Sequence, residues 1–378
     1  MRVTRIEIIR TRVPYRDGGD GTPAGTSHVM TGFAQGKAME SLMLRVSTDT
    51  GHTGWGEAFG HHCNPATLAA LTEMVAPYFL GATINGASPD NASDRLEQAC
   101  RAFHLFGRTG PVMYALSGMD IALWDLKAQA AGQPLYALLG GGRRRLRAYA
   151  SLVTYDGRAD LAAANARQAY DAGFRAIKLH ELEIDAIAAA RAALPGDALL
   201  MTDVNCAWSP QEAARRAQAM RPLGLAWLEE PVWPPDDSEA LAGLRRHGVP
   251  ISAGENASGI EGYAHYLKAG SVDVIQPSVA KLGGVTAMRQ AHALALRHGV
   301  RMQPHCYYYG PGLLATAHLI GALVPDALLE QPWVSFEALL TPHMQPAPEL
   351  ELPEQPGLGY EPDPMLLARY TVQSASVE

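Results

Sequence analysis

The chain has 378 residues, 47% of them apolar, enough for a large core and, by length, for two domains. Its net charge of −7 argues against nucleic acid as the main partner, and no apolar stretch is long enough to span a membrane. Four scattered cysteines (Cys63, Cys100, Cys206, Cys306) lack the spacing of a disulfide frame or zinc site; with no signal-peptide core in MRVTRIEIIR, they point to reduced thiols in a cytoplasmic protein.

Residues 2–14 and 41–57 alternate apolar and polar positions and carry β-branched side chains, which predicts strands. The glycine-dense stretch between them, from about 17 to 40, has little to bury and is expected to be a mobile lid loop. A helical region follows over roughly 65–131, and its segment PVMYALSGMDIALWDLKAQAAG is apolar around most of its circumference, as a buried helix is. From about 146 the pattern changes. Strand candidates recur at 147–153, 175–180, 198–204, 225–230, 251–255, 272–278, 300–306 and 327–331, separated by helical segments. This alternation predicts a closed parallel barrel, with an open doubly wound sheet as the competing architecture. The doubly wound form wants a glycine-rich phosphate turn after its first strand, whereas Gly140-Gly141-Gly142 precedes it. The tail from 350 to 378 is expected to pack back onto the N-terminal part.

In a parallel barrel the chemistry sits at the carboxyl ends of the strands. Asp203, Glu229 and Glu255 each close a short apolar run, 26 residues apart and then 26 again. One such acid alone can be a helix N-cap, and Asp203-Val-Asn205 has that form. Three at the same end of successive strands form a cluster of hard oxygen donors, which calls for a divalent cation, Mg²⁺ by ligand type. The second strand ends Lys178-Leu179-His180, so alternation turns Lys178 and His180 to one face. The sixth end carries Ser278 and then Lys281, the seventh His305 and the eighth Glu330. Acids flanked by Lys/His sets on both sides suit proton transfer beside a metal, where a base removes the proton next to a carboxylate. Cationic neighbours are expected to depress the pKa of His180 and keep it neutral. His28, His61 and His62 lie in loops that can reach a substrate.

The chain resembles the enolase superfamily, in its mandelate racemase and muconate-lactonizing branch. The resemblance rests on GWGEAFG (54–60), ALSGMDIALWDLKAQAAGQPLYALLGG (115–141), MTDVN (201–205), WLEEP (227–231), ISAGEN (251–256), VIQPSVAKLGG (274–284), QPH (303–305) and PGLGYE (356–361). It implies an α+β capping domain (1–130, with 350–378 packing back on it) over a modified (β/α)₇β barrel (131–349), an α/β fold of the TIM-barrel type. It implies that Asp203, Glu229 and Glu255 bind Mg²⁺, with Asn205 and Glu230 in support. It also implies that Glu330 hydrogen-bonds a substrate carboxylate, and that loops near 17–36 and 58–64 choose the substrate. Two departures stand out. The family's second-strand motif is Lys-x-Lys, and His180 holds the place of the second lysine. On the sixth strand Ser278 stands where an Asp often orients the histidine; its hydroxyl is expected to hydrogen-bond His305 without lending it charge.

The reading that follows is a dehydratase of hydroxy or sugar acids: Lys178 or His180 takes the α-proton and His305 protonates the departing β-hydroxyl. A racemase or epimerase, with Lys281 or His305 as second base, and a cycloisomerase are the alternatives. A non-catalytic binding protein is a more remote one, disfavoured by the complete set of acids. The expected partner is a small carboxylate substrate, with no nucleic acid or membrane, in a homo-oligomer (dimer or octamer).

Overall fold

A computed structural model describes residues 1–19, 37–61, 64–84, 90–257 and 259–378. The expected lid therefore lies mostly outside the described residues, as do His28, His62 and Cys63.

Strands β1 (Val3–Arg16), β2 (Ala38–Thr48) and β3 (Thr53–Ala58) form an antiparallel meander whose inward positions, among them Ile6, Ile8, Leu42 and Leu44, are fully buried. The single strand expected at 41–57 is two strands. Gly51, at φ +83°, reverses the chain between them in a conformation that a side chain disfavours. The helix Gly110–Ala130 packs across β3; it begins with Pro111 in its first turn and is apolar nearly all round, so most of its length is buried.

Eight short parallel strands follow: β4 (Arg145–Ser151), β5 (Ala176–Leu179), β6 (Leu199–Asp203), β7 (Trp227–Glu229), β8 (Ile251–Ala253), β9 (Val274–Ile275), β10 (Arg301–Met302) and β11 (Leu329–Pro332). They neighbour one another in chain order from β4 to β10, and β11 returns beside β4. A doubly wound sheet would reverse its order midway, so this is the TIM-barrel type of arrangement, with helices such as Ala159–Asp171, Pro210–Met220 and Gly284–His298 after successive strands. No backbone ladder joins β10 to β11 among the described residues. There the Gln303 side chain stands in for one: its amide nitrogen donates to the Leu328 carbonyl, and its oxygen accepts the Leu328 N–H at 3.1 Å. Three more pairings tie the C-terminal part down. β12 (Ser335–Phe336) and β14 (Thr371–Val377) join β1, while β13 (Glu349–Glu351) joins β4.

Buried acids of the N-terminal part clasp barrel backbone. Glu57 accepts from Gly310 N (3.2 Å) and Gly312 N (2.9 Å), and Asp120 accepts from Thr286 N (2.9 Å) and Thr286 Oγ1 (2.7 Å). Burial pushes both acids up to about 7, against these hydrogen bonds.

His318, fully buried on the helix Pro311–Leu323, accepts the Tyr136 N–H through Nδ1 (3.0 Å) and donates through Nε2 to the Leu358 carbonyl (3.1 Å). Burial lowers its pKa from 6.5 to about 4. The unfolded chain thus takes up a proton that the folded one refuses, and stability falls as pH drops through that window. His318→Gln keeps an acceptor and a donor but does not titrate. In urea unfolding, the wild type is expected to lose about 2 kcal/mol more than this variant between about pH 7 and pH 5. Asp120 and Glu57 act with the opposite sign but equally in both proteins. An equal loss in the two would contradict the assignment.

Among the described residues, no helix is long and apolar enough to cross a membrane.

Candidate active site

The carboxylates of Asp203 and Glu229, the last residues of β6 and β7, and of Glu255, two residues beyond β8, converge. One oxygen from each lies within 4.8 Å of the others. In-register pairing of Asp203 with Glu229 turns both inward. Three acids this close, two of them buried, repel unless cations stand among them, and cations do. Lys178 Nζ lies 3.0 Å from Glu229 Oε1, 2.8 Å from Glu330 Oε1 and 3.7 Å from Asp203 Oδ2. Opposite, Lys281 Nζ lies 3.0 Å from Glu255 Oε1 and His305 Nε2 lies 2.7 Å from Glu255 Oε2. Three hard anionic oxygens with no sulfur among them fit Mg²⁺, which would be held by Asp203, Glu229 and Glu255.

Lys178 and His180 differ in availability. The Lys178 side chain is 1% exposed. Burial disfavours its charge, but Glu229 and Glu330 outweigh burial and hold it well above the ordinary lysine value, so it keeps its proton. The His180 side chain is 20% exposed. Its Nδ1 faces the Leu152 carbonyl, which can only accept, so Nδ1 carries a hydrogen, and at the barrel mouth Nε2 faces Asp203 Oδ2 at 3.5 Å. The expected depression of His180 is reversed. Burial and the charge of Lys178 lower its pKa, but the hydrogen bond and charge of Asp203 outweigh both and raise it.

The expected Ser278–His305 hydrogen bond is absent. Ser278 Oγ pairs with the Tyr308 hydroxyl, and the buried His305 Nδ1 has no hydrogen-bond partner among the described residues. The two residues meet only through backbone, as an isolated bridge. Glu330 is fully buried, with both oxygens engaged: Oε1 by Lys178 and Ser151 Oγ (2.8 Å), Oε2 by Cys306 N (2.9 Å). Burial raises its pKa, yet Lys178 more than compensates and brings it down to about 2, so it is an ionised partner of Lys178 in this arrangement. Asn205, at φ +45°, donates its N–H to Asp203 Oδ1 (2.8 Å). Glu230 lies beside these acids: its Oε2 accepts from Asn256 Nδ2 (2.7 Å) and the Cys206 thiol, and burial, then Glu255 and Asp203, push it up to about 8. His61 Nε2 meets the Tyr307 carbonyl at 3.0 Å, and Phe59 lies under Lys281 Nζ, 4.3 Å from the ring centre.

The sequence reading missed two neighbours of the acids. Trp227 donates its indole N–H to Glu229 Oε2 at 2.9 Å. Asn256 Nδ2 reaches Glu230 Oε2 at 2.7 Å, and its Oδ1 faces Lys281 Nζ at 3.4 Å. The signal for Trp227 was available, since a residue two before Glu229 in a strand shares its face.

A family model described as "Enolase C-terminal domain-like" matches residues 161–366, and one described as "Mandelate racemase / muconate lactonizing enzyme, N-terminal domain" matches 25–140. The chain is 30% identical to a D-galactarolactone cycloisomerase of Agrobacterium fabrum, over 85% of this chain and 88% of that protein. It is 28% identical to an arabinonate dehydratase of Saccharolobus solfataricus, with the same two coverages. The crystal structure of an L-talarate dehydratase from Polaromonas sp. JS666, complexed with Mg and L-glucarate, superposes with a TM-score of 0.80. It is 25% identical, covering 100% of this chain and 99% of that one.

Proposed function

This chain belongs to the enolase-like family, in its mandelate racemase and muconate lactonizing enzyme branch, and from that premise we propose that it is a Mg²⁺-dependent dehydratase of sugar acids. The observation that carries the proposal is the convergence of Asp203, Glu229 and Glu255 within 4.8 Å, between a Lys178/His180 side and a Lys281/His305 side. A cation held there supplies positive charge to the substrate carboxylate while the neighbouring C–H bond breaks.

His180, its ring held at Nδ1 by the Leu152 carbonyl, accepts the α-proton at Nε2 once Asp203, committed to the cation, no longer holds that nitrogen. Lys178 stays protonated and, with Glu330 holding it, keeps fixed positive charge beside the acids. From the opposite side, His305 gives a proton to the β-hydroxyl as its C–O bond breaks. The α-proton thus goes to His180, the hydroxyl leaves as water, and the enol formed rearranges to a 2-keto acid. Asn205 and Glu230 stay in supporting roles beside the acids. The named relatives act on sugar-derived acids, which supports that substrate class.

Cycloisomerisation is the second reading, favoured by the 30%-identical cycloisomerase. It uses the same α-proton step, with a ring oxygen as leaving group in place of water.

The test is incubation with a panel of open-chain and cyclic sugar acids in D₂O with Mg²⁺, followed by NMR and mass spectrometry. Loss of one water mass with a 2-keto product is expected. Ring opening without mass loss would select the cycloisomerase, and neither product nor α-deuterium across the panel would contradict both readings. EDTA is expected to abolish turnover, and added Mg²⁺ to restore it; activity that survives chelation would remove the metal from the account.

A further inference from the structure

Glu229 is fully buried, and its two oxygens meet donors of different kinds. Oε1 faces Lys178 Nζ at 3.0 Å, on the side of Asp203, whose Oδ2 is 3.7 Å from the same nitrogen. Oε2 accepts the Trp227 indole N–H at 2.9 Å. Trp227 belongs to a small cluster with Tyr149, Ala176 and Met201, separate from the main core, inside the barrel beneath the acids. Its ring stands edge-on to Tyr149, with centroids 6.2 Å apart and planes at 84°. Lysine is a flexible point charge, whereas indole is a donor only, wedged here among apolar neighbours.

We infer that Trp227 is a positioning residue for the cation site: its N–H fixes Glu229 Oε2 from below and leaves Oε1 as the oxygen offered to the ion. Phenylalanine would fill much of the same space but remove the N–H that holds Oε2, letting it swing toward the cation or pair with Lys178. The inference rests on the Mg²⁺ reading above.

The test is Mg²⁺ titration by calorimetry and by tryptophan emission on the full-length wild type, Trp227→Phe, Trp227→His and Met201→Leu. The wild type is expected to bind Mg²⁺ with a change in emission. Trp227→Phe is expected to bind about tenfold or more weakly and to lose most of that change. Trp227→His, which returns a ring N–H, is expected to recover part of the affinity. Met201→Leu, which repacks the same floor without touching the N–H, is expected to match the wild type. Thermal unfolding without Mg²⁺ separates lost binding from lost fold. Should Trp227→Phe not fold, the wild-type emission change and the Trp227→His affinity decide. Wild-type affinity in Trp227→Phe, or equal weakening in Met201→Leu, overturns the inference while leaving the metal reading intact. A wild type that binds no Mg²⁺ sinks both.

Discussion

Asp203→Asn is expected to weaken Mg²⁺ binding by at least about a hundredfold and to lower kcat/KM by about a thousandfold or more. The substitution keeps the shape and removes one anionic oxygen from a site that offers three. Hard divalent ions gain most of their affinity from anionic oxygen, and amide oxygen is a weaker donor. The fold should survive, because Lys178 retains Glu229 at 3.0 Å and Glu330 at 2.8 Å and so is not left as a bare buried charge. The signature is therefore a properly folded protein, by thermal unfolding without metal, that fails to take up Mg²⁺ in calorimetry. Near-normal turnover at modest Mg²⁺ would show that Asp203 is only a partner of Lys178 and His180.

His180→Asn is expected to slow α-deuterium exchange by about a thousandfold while changing Mg²⁺ affinity only a few-fold. The argument turns on which side chain can accept a proton. Lys178 is enclosed by carboxylates and stays charged; His180 has Nδ1 committed to the Leu152 carbonyl and Nε2 directed to the mouth. Exchange followed by NMR with both epimers of a substrate acid gives the answer. One epimer should go silent; if exchange persists at the wild-type rate, Lys178 is the base and the roles assigned to the pair are exchanged.

The acids and most of the barrel were legible because their signals are local. A short apolar run closed by an acid, repeated after each helix, fixes both the strand and the end at which its acid stands. Lys178 and His180 followed from alternation alone. What the sequence did not disclose depends on third parties. Burial alone would lower the pKa of His180, but Asp203, 23 residues further along the chain, outweighs burial and Lys178 together. Ser278 turns to Tyr308, and nothing near Ser278 in the sequence marks that partner. The Gly51 turn was missed because the alternation of β2 continues across it into β3. His28 and His62, expected as substrate contacts, lie outside the described residues, so the choice among sugar acids rests on the substrate panel.

The most direct measurement is a crystal structure of the protein with Mn²⁺ in place of Mg²⁺, read by anomalous scattering. The account predicts one strong peak within bonding distance of an oxygen from each of Asp203, Glu229 and Glu255, with Lys178 and Lys281 displaced from the ligating oxygens. A peak elsewhere, or none while Lys178, Lys281 and His305 keep their present carboxylate contacts, would contradict it.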